Sequence, residues 1–311
     1  MNQETEIAVV AATSDKKSKM DAQSKLLFSY KEILAPILKM LVPEYEDLSI
    51  GEIIKCIEST DNNKAVDAVS QIAAQDEHNS VADKLIRFDQ YFKAKNPKLS
   101  NTENTIHIHF DFELQKSFNP SNPHYPLMKR VQYYVARELC DQLGVITEET
   151  NYDKLEKCYS IWICSDDIPQ KRRNSVAVYH TEEDIIGGDD FREEPENYDL
   201  MTSIVVCRGL RVLGSKKDIF DYLEAVFKGN IQRLNEYTNT EESPELVKEV
   251  EHMRVMQDAS YTEGMVVGLI KYLRDQGKTD EAIMKEIINR YHLSEEDAFT
   301  YLMISKNEVY A

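Results

Sequence analysis

Hydrophobic residues between Lys25 and Leu41 recur at three- and four-residue intervals, through Leu26, Leu27, Tyr30, Ile33, Leu34, Ile37, Leu38 and Leu41. That spacing predicts a helix with a broad apolar face, kinked or split at Pro36. Ser49 with Glu52 three residues later has the form of a capping box, opening a short helix through Ile53, Ile54 and Ile57. Residues 59–80 read as helix then loop. The period then changes from helical to alternating. Residues 86–94 alternate, and residues 106–115 alternate without a break from Ile106 to Gln115. The polar stretch between them predicts an antiparallel hairpin with a long loop. Residues 126–143 then read as a helix ended by Gly144, and Tyr159–Cys164 as a buried strand, with further strands at Ser175–Tyr179 and Ser203–Cys207.

From Ile219 onward the pattern is helical, closing with two short helices across 279–304, the second opened by Ser294 with Asp297 at its third position. The alternation of helix, hairpin, helix and strand argues for an α/β fold. The boundaries that follow are a flexible polar leader over 1–23, a core domain over 24–240 and a helical C-terminal module over 241–311. Between Thr181 and Asp199 lie nine acids and one arginine, read as a solvated loop.

Composition narrows the function classes. In 311 residues, 37 basic side chains face 55 acidic ones, a net charge of −18. Such a balance opposes non-specific adhesion to nucleic acid or anionic membrane, so any contact with DNA must be local. No run approaches a membrane span, and the first residues lack the basic region of a signal peptide, which makes the cytoplasm the expected location. Five cysteines, at 56, 140, 158, 164 and 207, form no close pair of the kind zinc sites use.

Candidate chemistry sits on the second alternating run. His107, His109, Asp111, Glu113 and Gln115 share one face of a strand, at about 6.6 Å per pair of residues, and Ile106, Ile108, Phe110, Phe112 and Leu114 share the other. Glu113 and Gln115 can then lean on one small ligand. If the face carrying Asp89, Arg87 and Lys93 adjoins them, two carboxylates converge, a set suited to Mg²⁺, which takes only one or two carboxylates and keeps several waters. Asp111 competes with Glu113 for that role. His107 and His109 could also ligate metal, although no third ligand is implied nearby. The bland alternative throughout is a solvated sheet face.

These residues bear a resemblance. Asp on one strand followed by Glu-x-Lys on the next is the signature of the PD-(D/E)XK nuclease superfamily, and the branch of recombination-promoting nucleases, or PD-(D/E)XK nuclease family transposases, commonly replaces the Lys by Gln. The chain resembles that branch in Ile86-Arg87-Phe88-Asp89, Phe112-Glu113-Leu114-Gln115, Tyr125 to Arg130 with Tyr133-Tyr134, and Tyr159 to Cys164. The resemblance implies a restriction-endonuclease-like mixed sheet flanked by helices, over most of residues 25–210. It further implies a Mg²⁺-dependent DNA endonuclease, with Mn²⁺ as a possible substitute. Asp89 and Glu113 become the metal carboxylates, and Gln115 takes the place of the lysine. Gln115 cannot titrate, so it can orient water or metal but cannot act as a general base.

The resemblance also implies an accessory acid, with Asp83 just before the first strand, or Glu52 or Glu58 on an upstream helix, as candidates. DNA contacts are expected near Arg87, Lys93, Lys129, Arg130 and Tyr134, while Arg130 could equally be a salt-bridge partner. Tyr133 could simply pack, and Lys171-Arg172-Arg173 could face a phosphate backbone or be plain surface. Trp162 reads as core. A catalytically degenerate relative that binds DNA or protein, and an assembly protein that forms homo-oligomers through its helical tail, are the alternatives from other classes.

Overall fold

The computed structural model describes residues 18–58, 89–120, 123–145, 151–188, 191–209, 216–238 and 243–307. Arg87, Asp83, the stretch 59–80 and the first 17 residues of the expected leader lie outside them. Within the described residues the chain is α/β. A five-stranded mixed sheet is built from β1 (Gln90–Lys95), β2 (His107–Ser117), β3 (Lys157–Asp166), β4 (Ser175–Tyr179) and β5 (Met201–Cys207), in the order β1-β2-β3-β5-β4. β1 and β2 form the expected antiparallel hairpin, with Tyr91 opposite Asp111. β2, β3 and β5 run parallel, and β4 returns antiparallel at the edge.

Helices cover both faces. The crossover from β2 to β3 is α4 (Leu127–Val145), which packs on β2, β3 and β5. The opposite face presents Phe92, Phe110 and Tyr159 as a stacked row, with Phe92–Phe110 centroids 5.0 Å apart and Phe110–Tyr159 5.5 Å apart. Tyr45 and Phe28 close on that row from the N-terminal helices, Phe28 stacking on Phe112 at 5.0 Å. Aromatic pairs at these separations add directional preference to the burial of their area.

The N-terminal helices differ from their sequence pattern. Residues 18–27 form α1, so 18–23 are helical, and Gln23 is buried with its amide donating to Glu249 Oε2 at 2.9 Å. The break falls after α1 and not at Pro36. The Ser29 and Tyr30 amides close tight turns onto Leu26 and Leu27, and α2 (Lys31–Leu41) then continues unsplit through Pro36. Burial of Ile33, Leu34, Ile37 and Leu38 holds that helix despite the donor lost at proline. α3 (Ile50–Cys56) has the full capping box: Ser49 accepts from the Glu52 amide, and Glu52 accepts from the Ser49 amide. It stops one residue short of Ile57, which bridges to Ala94. α4 passes through Gly144 to Val145, and β2 reaches two residues past Gln115. Among the described residues of the acidic stretch the one regular element is the single turn α5 (Pro195–Tyr198).

After the sheet come α6 (Ile219–Phe227), α7 (Ile231–Leu234), α8 (Pro244–Asp275), α9 (Asp280–Tyr291) and α10 (Glu295–Asn307). Ser294 caps α10 by accepting from the Asp297 amide, as its spacing suggests. The described chain divides into two compact units, one of residues 25–226 with 232–246, the other of 18–24 with 227–231 and 247–307. Inside the second unit Val266 and Ile270 of α8 meet Ile283 and Ile287 of α9 and Ala298 and Leu302 of α10. Arg274 ties the three helices by donating to Ser305 Oγ at 2.7 Å and to Asp280 Oδ1 at 3.4 Å.

Candidate active site

Asp89 stands immediately before β1, in a bend, and Glu113 lies near the middle of β2. The hairpin register sets Gln90 opposite Phe112, and carried one residue further it sets Asp89 directly opposite Glu113. They are fastened by reciprocal bonds. The Asp89 amide donates to Glu113 Oε1 at 2.9 Å, and the Leu114 amide donates to Asp89 Oδ2 at 3.0 Å. The other Asp89 oxygen, Oδ1, holds the Lys25 ammonium at 2.7 Å.

Gln115 and Arg130 complete the group. Arg130 Nη1 donates to Gln115 Oε1 at 3.4 Å and Nη2 to the Tyr134 hydroxyl at 2.8 Å, while Nη2 lies 3.7 Å from Glu113 Oε2. The guanidinium also lies 4.9 Å from the centre of the Tyr134 ring and 5.1 Å from that of Trp162. Trp162 is therefore core, as its strand implies, and also the floor under this arginine. The Gln115 amide nitrogen donates to the Ser117 carbonyl at 2.6 Å, so the side chain is pinned at both ends.

The polar face of β2 is buried beneath α4 and is not a solvated sheet face. Asp111 is wholly enclosed and Glu113 is only 4% exposed. The parallel crossover explains this: a β-α-β unit lays its helix over the strands it joins, so polarity along β2 does not bring water to that face. Burial, then the charge of Asp89, pushes the Glu113 carboxyl up to about 8, against the Asp89 N–H, Arg130 and Lys25, which pull it down. Crowding of negative charge in a desolvated place is what a bound divalent cation relieves, and two carboxylates provide the hard oxygens Mg²⁺ prefers. In chemistry the donor set fits. Among the described residues no group of three or more His, Cys, Asp or Glu side chains is arranged to hold a metal ion, so any cation here would rest on these two acids and water.

The remaining candidates are distributed elsewhere. Lys93 pairs with His109, toward the far end of β2, and is removed from the acids. Lys129 is exposed on the first turn of α4. Neither Glu52 nor Glu58 joins the acids: Glu52 is consumed in its capping box, and Glu58 Oε1 pairs with His107 Nε2 at 2.9 Å, where the Glu58 amide also donates to the Lys93 carbonyl. Tyr133 is exposed and does not pack. Lys171, Arg172 and Arg173 are exposed, with Arg172 over the Phe118 ring at 5.5 Å.

The histidines have other partners. His109 Nε2 donates to Glu156 Oε2 at 2.9 Å, and its Nδ1 meets the Tyr91 hydroxyl at 2.6 Å. The His107 amide donates to Glu156 Oε1 at 2.7 Å. Both His109 nitrogens are thus engaged within the protein. Asp111, the competitor of Glu113, accepts from Ser160 Oγ at 2.6 Å, and Ser160 in turn accepts from the Trp162 indole at 2.7 Å. Asp111 Oδ1 and both oxygens of Glu138 are buried without a hydrogen-bond partner.

Sequence reasoning missed Lys25, Glu138 and Glu156. Lys25 stands 64 positions before Asp89, and no spacing rule links a helical lysine to a strand so distant. Among the described residues no helix is long and apolar enough to cross a membrane. Protein-family models, curated proteins and solved structures all return no match to this chain.

Proposed function

We propose that this protein is a divalent-cation-dependent phosphodiesterase that cuts DNA, in the manner of the PD-(D/E)XK recombination-promoting nucleases it resembles. One observation carries the reading: the reciprocal clamp between Asp89 and Glu113, with Gln115 and Arg130 joined to it. The order of hairpin, helix and parallel strand across β1, β2, α4 and β3 also suits a restriction-endonuclease-like core. Asp89 and Glu113 are the residues that would hold Mg²⁺ or Mn²⁺. When bound, such an ion supplies Lewis acidity toward phosphate and lowers the pKa of water.

The chain's own residues do the rest. In hydrolysis a water oxygen bonds to phosphorus, the bond from phosphorus to the sugar oxygen breaks, and the proton ends on the departing oxygen. Gln115 orients the attacking water through its amide, since it has no titratable proton. Arg130, backed by the Trp162 and Tyr134 rings, offers a fixed cation to the phosphate. With a net charge of −18, DNA contact is confined to this locality and weakens steeply with salt.

The test is nicking of supercoiled plasmid by the full chain with Mg²⁺. Wild type is expected to nick, and Asp89→Ala and Glu113→Ala are expected to abolish nicking while melting cooperatively. Undiminished cutting by both variants would remove the acids from the mechanism. A second reading is a DNA- or protein-binding module that does not cut. It is favoured by the engagement of both Asp89 oxygens with the chain's own donors, Lys25 and the Leu114 amide. Metal uptake without any nicking by wild type would select it.

A further inference from the structure

We propose that Lys25 is a catalytic residue of this site, supplying from α1 the positive charge that Gln115 cannot supply from β2. The inference rests on the hydrolytic reading above and extends it to a named cation for the substrate phosphate. A lysine ammonium already stands at the acids, 2.7 Å from Asp89 Oδ1.

The backbone around Lys25 is fixed from two directions. Its carbonyl accepts from Gln90 Nε2 at 2.7 Å, and Gln90 is buried beside Asp89 in sequence. Three residues on, Phe28 stacks on Phe112, the neighbour of Glu113 on β2. A surface ion pair formed by chance would have neither anchor. The Lys25 side chain is 37% exposed against 18% for Asp89, so the lysine is the more accessible member of the pair. Its four-carbon stem lets the ammonium turn from Asp89 to a phosphate oxygen once the carboxylate is shared with a metal ion. Lys25 therefore holds Asp89 in the free protein and the phosphodiester in the complex.

The experiment uses the full chain as wild type, K25M, K25R and the double variant K25M/Q115K. Nicking of supercoiled plasmid is measured at saturating DNA, and binding of Mn²⁺ alone is measured by calorimetry. K25M is expected to lower the turnover rate by about 100-fold, the scale of losing one charge-stabilising donor. It is also expected to bind Mn²⁺ about tenfold more tightly, because a competing cation has left the carboxylates. K25R is expected to fold and melt like wild type. Q115K added to K25M is expected to recover about tenfold of the lost rate, which no repair of an anchor on α1 would do.

Nicking by K25M within about threefold of wild type overturns the proposal and leaves the hydrolytic reading standing. A loss of rate that Q115K does not recover, accompanied by a lower melting temperature, assigns Lys25 a structural role and overturns it as well. A wild type that does not nick removes the hydrolytic reading itself. In that case the catalytic role of Lys25 is overturned with it, whatever the Mn²⁺ affinity of K25M.

Discussion

Asp89 and Glu113 hold each other through the main chain: the amide of one feeds the carboxylate of the other at 2.9 Å, across the first hairpin of the sheet. The bond fastens the Glu113 carboxylate to the backbone that carries Asp89, a restraint on side-chain freedom of the kind a preorganised cation site requires. Glu113 accepts this constraint at a cost, since it is buried with a second negative group beside it.

Arg130 is expected to be intolerant of a conservative change. Its fork meets Gln115, Tyr134 and, at longer range, Glu113, while its plane lies over two rings. Lysine keeps the charge and loses the fork and the stacking. Arg130→Lys should lower kcat/KM for plasmid nicking by about 10- to 100-fold, equal to about 1.4–2.7 kcal/mol of transition-state stabilisation. A variant with wild-type kcat/KM would show that the arginine only packs.

Glu138 is expected to destabilise the fold it sits in. Its carboxyl is enclosed, both oxygens lack partners, and burial followed by the charge of Asp141 pushes its pKa well above the ordinary 4.5. A raised carboxyl contributes stability below the unfolded value that is lost as pH rises through the folded one. Glu138→Met should therefore raise stability at pH 8, by about 1–3 kcal/mol. The gain should shrink toward pH 4, measured by urea unfolding at both values. A loss of stability at pH 8 would mean that Glu138 has a partner essential to the fold.

Much of this arrangement was legible in the chain, and the limits have physical causes. Glu113 and Gln115 could be paired because strand side chains repeat every two residues, and the hairpin could be drawn because two alternating runs flank a polar loop. Burial of the polar face could not be read there. Asp111 and Glu138 look like surface residues until α4 is laid across the strands, and only the crossover does that. Pro36 misled for a related reason: local propensity favours a break, but an apolar face with Ile33, Ile37 and Leu38 buried outweighs it. Lys25 was invisible because its partner is set by tertiary contact alone.

The far end of β2 should be sensitive to acid. Burial pushes the Glu156 carboxyl up, but hydrogen bonds from His109 and from the His107 amide outweigh it and bring the group down to about 2. Because the folded value lies below the unfolded 4.5, the stability Glu156 contributes is present above pH 4.5 and lost as pH falls toward 2. Glu156→Gln should cost about 1 kcal/mol at pH 7 once solvent screening of the half-buried group is discounted. Near pH 2 variant and wild type should unfold at similar urea concentrations. An equal cost at both pH values would place the effect in packing.

Calorimetric titration of Mn²⁺ into the full chain is the most direct measurement. Wild type is expected to take up one ion, and Asp89→Asn and Glu113→Gln, each keeping shape while removing one charge, are each expected to lose that uptake with their folds intact. Uptake that persists in both variants with the wild-type affinity would contradict the claim that these two acids share a cation.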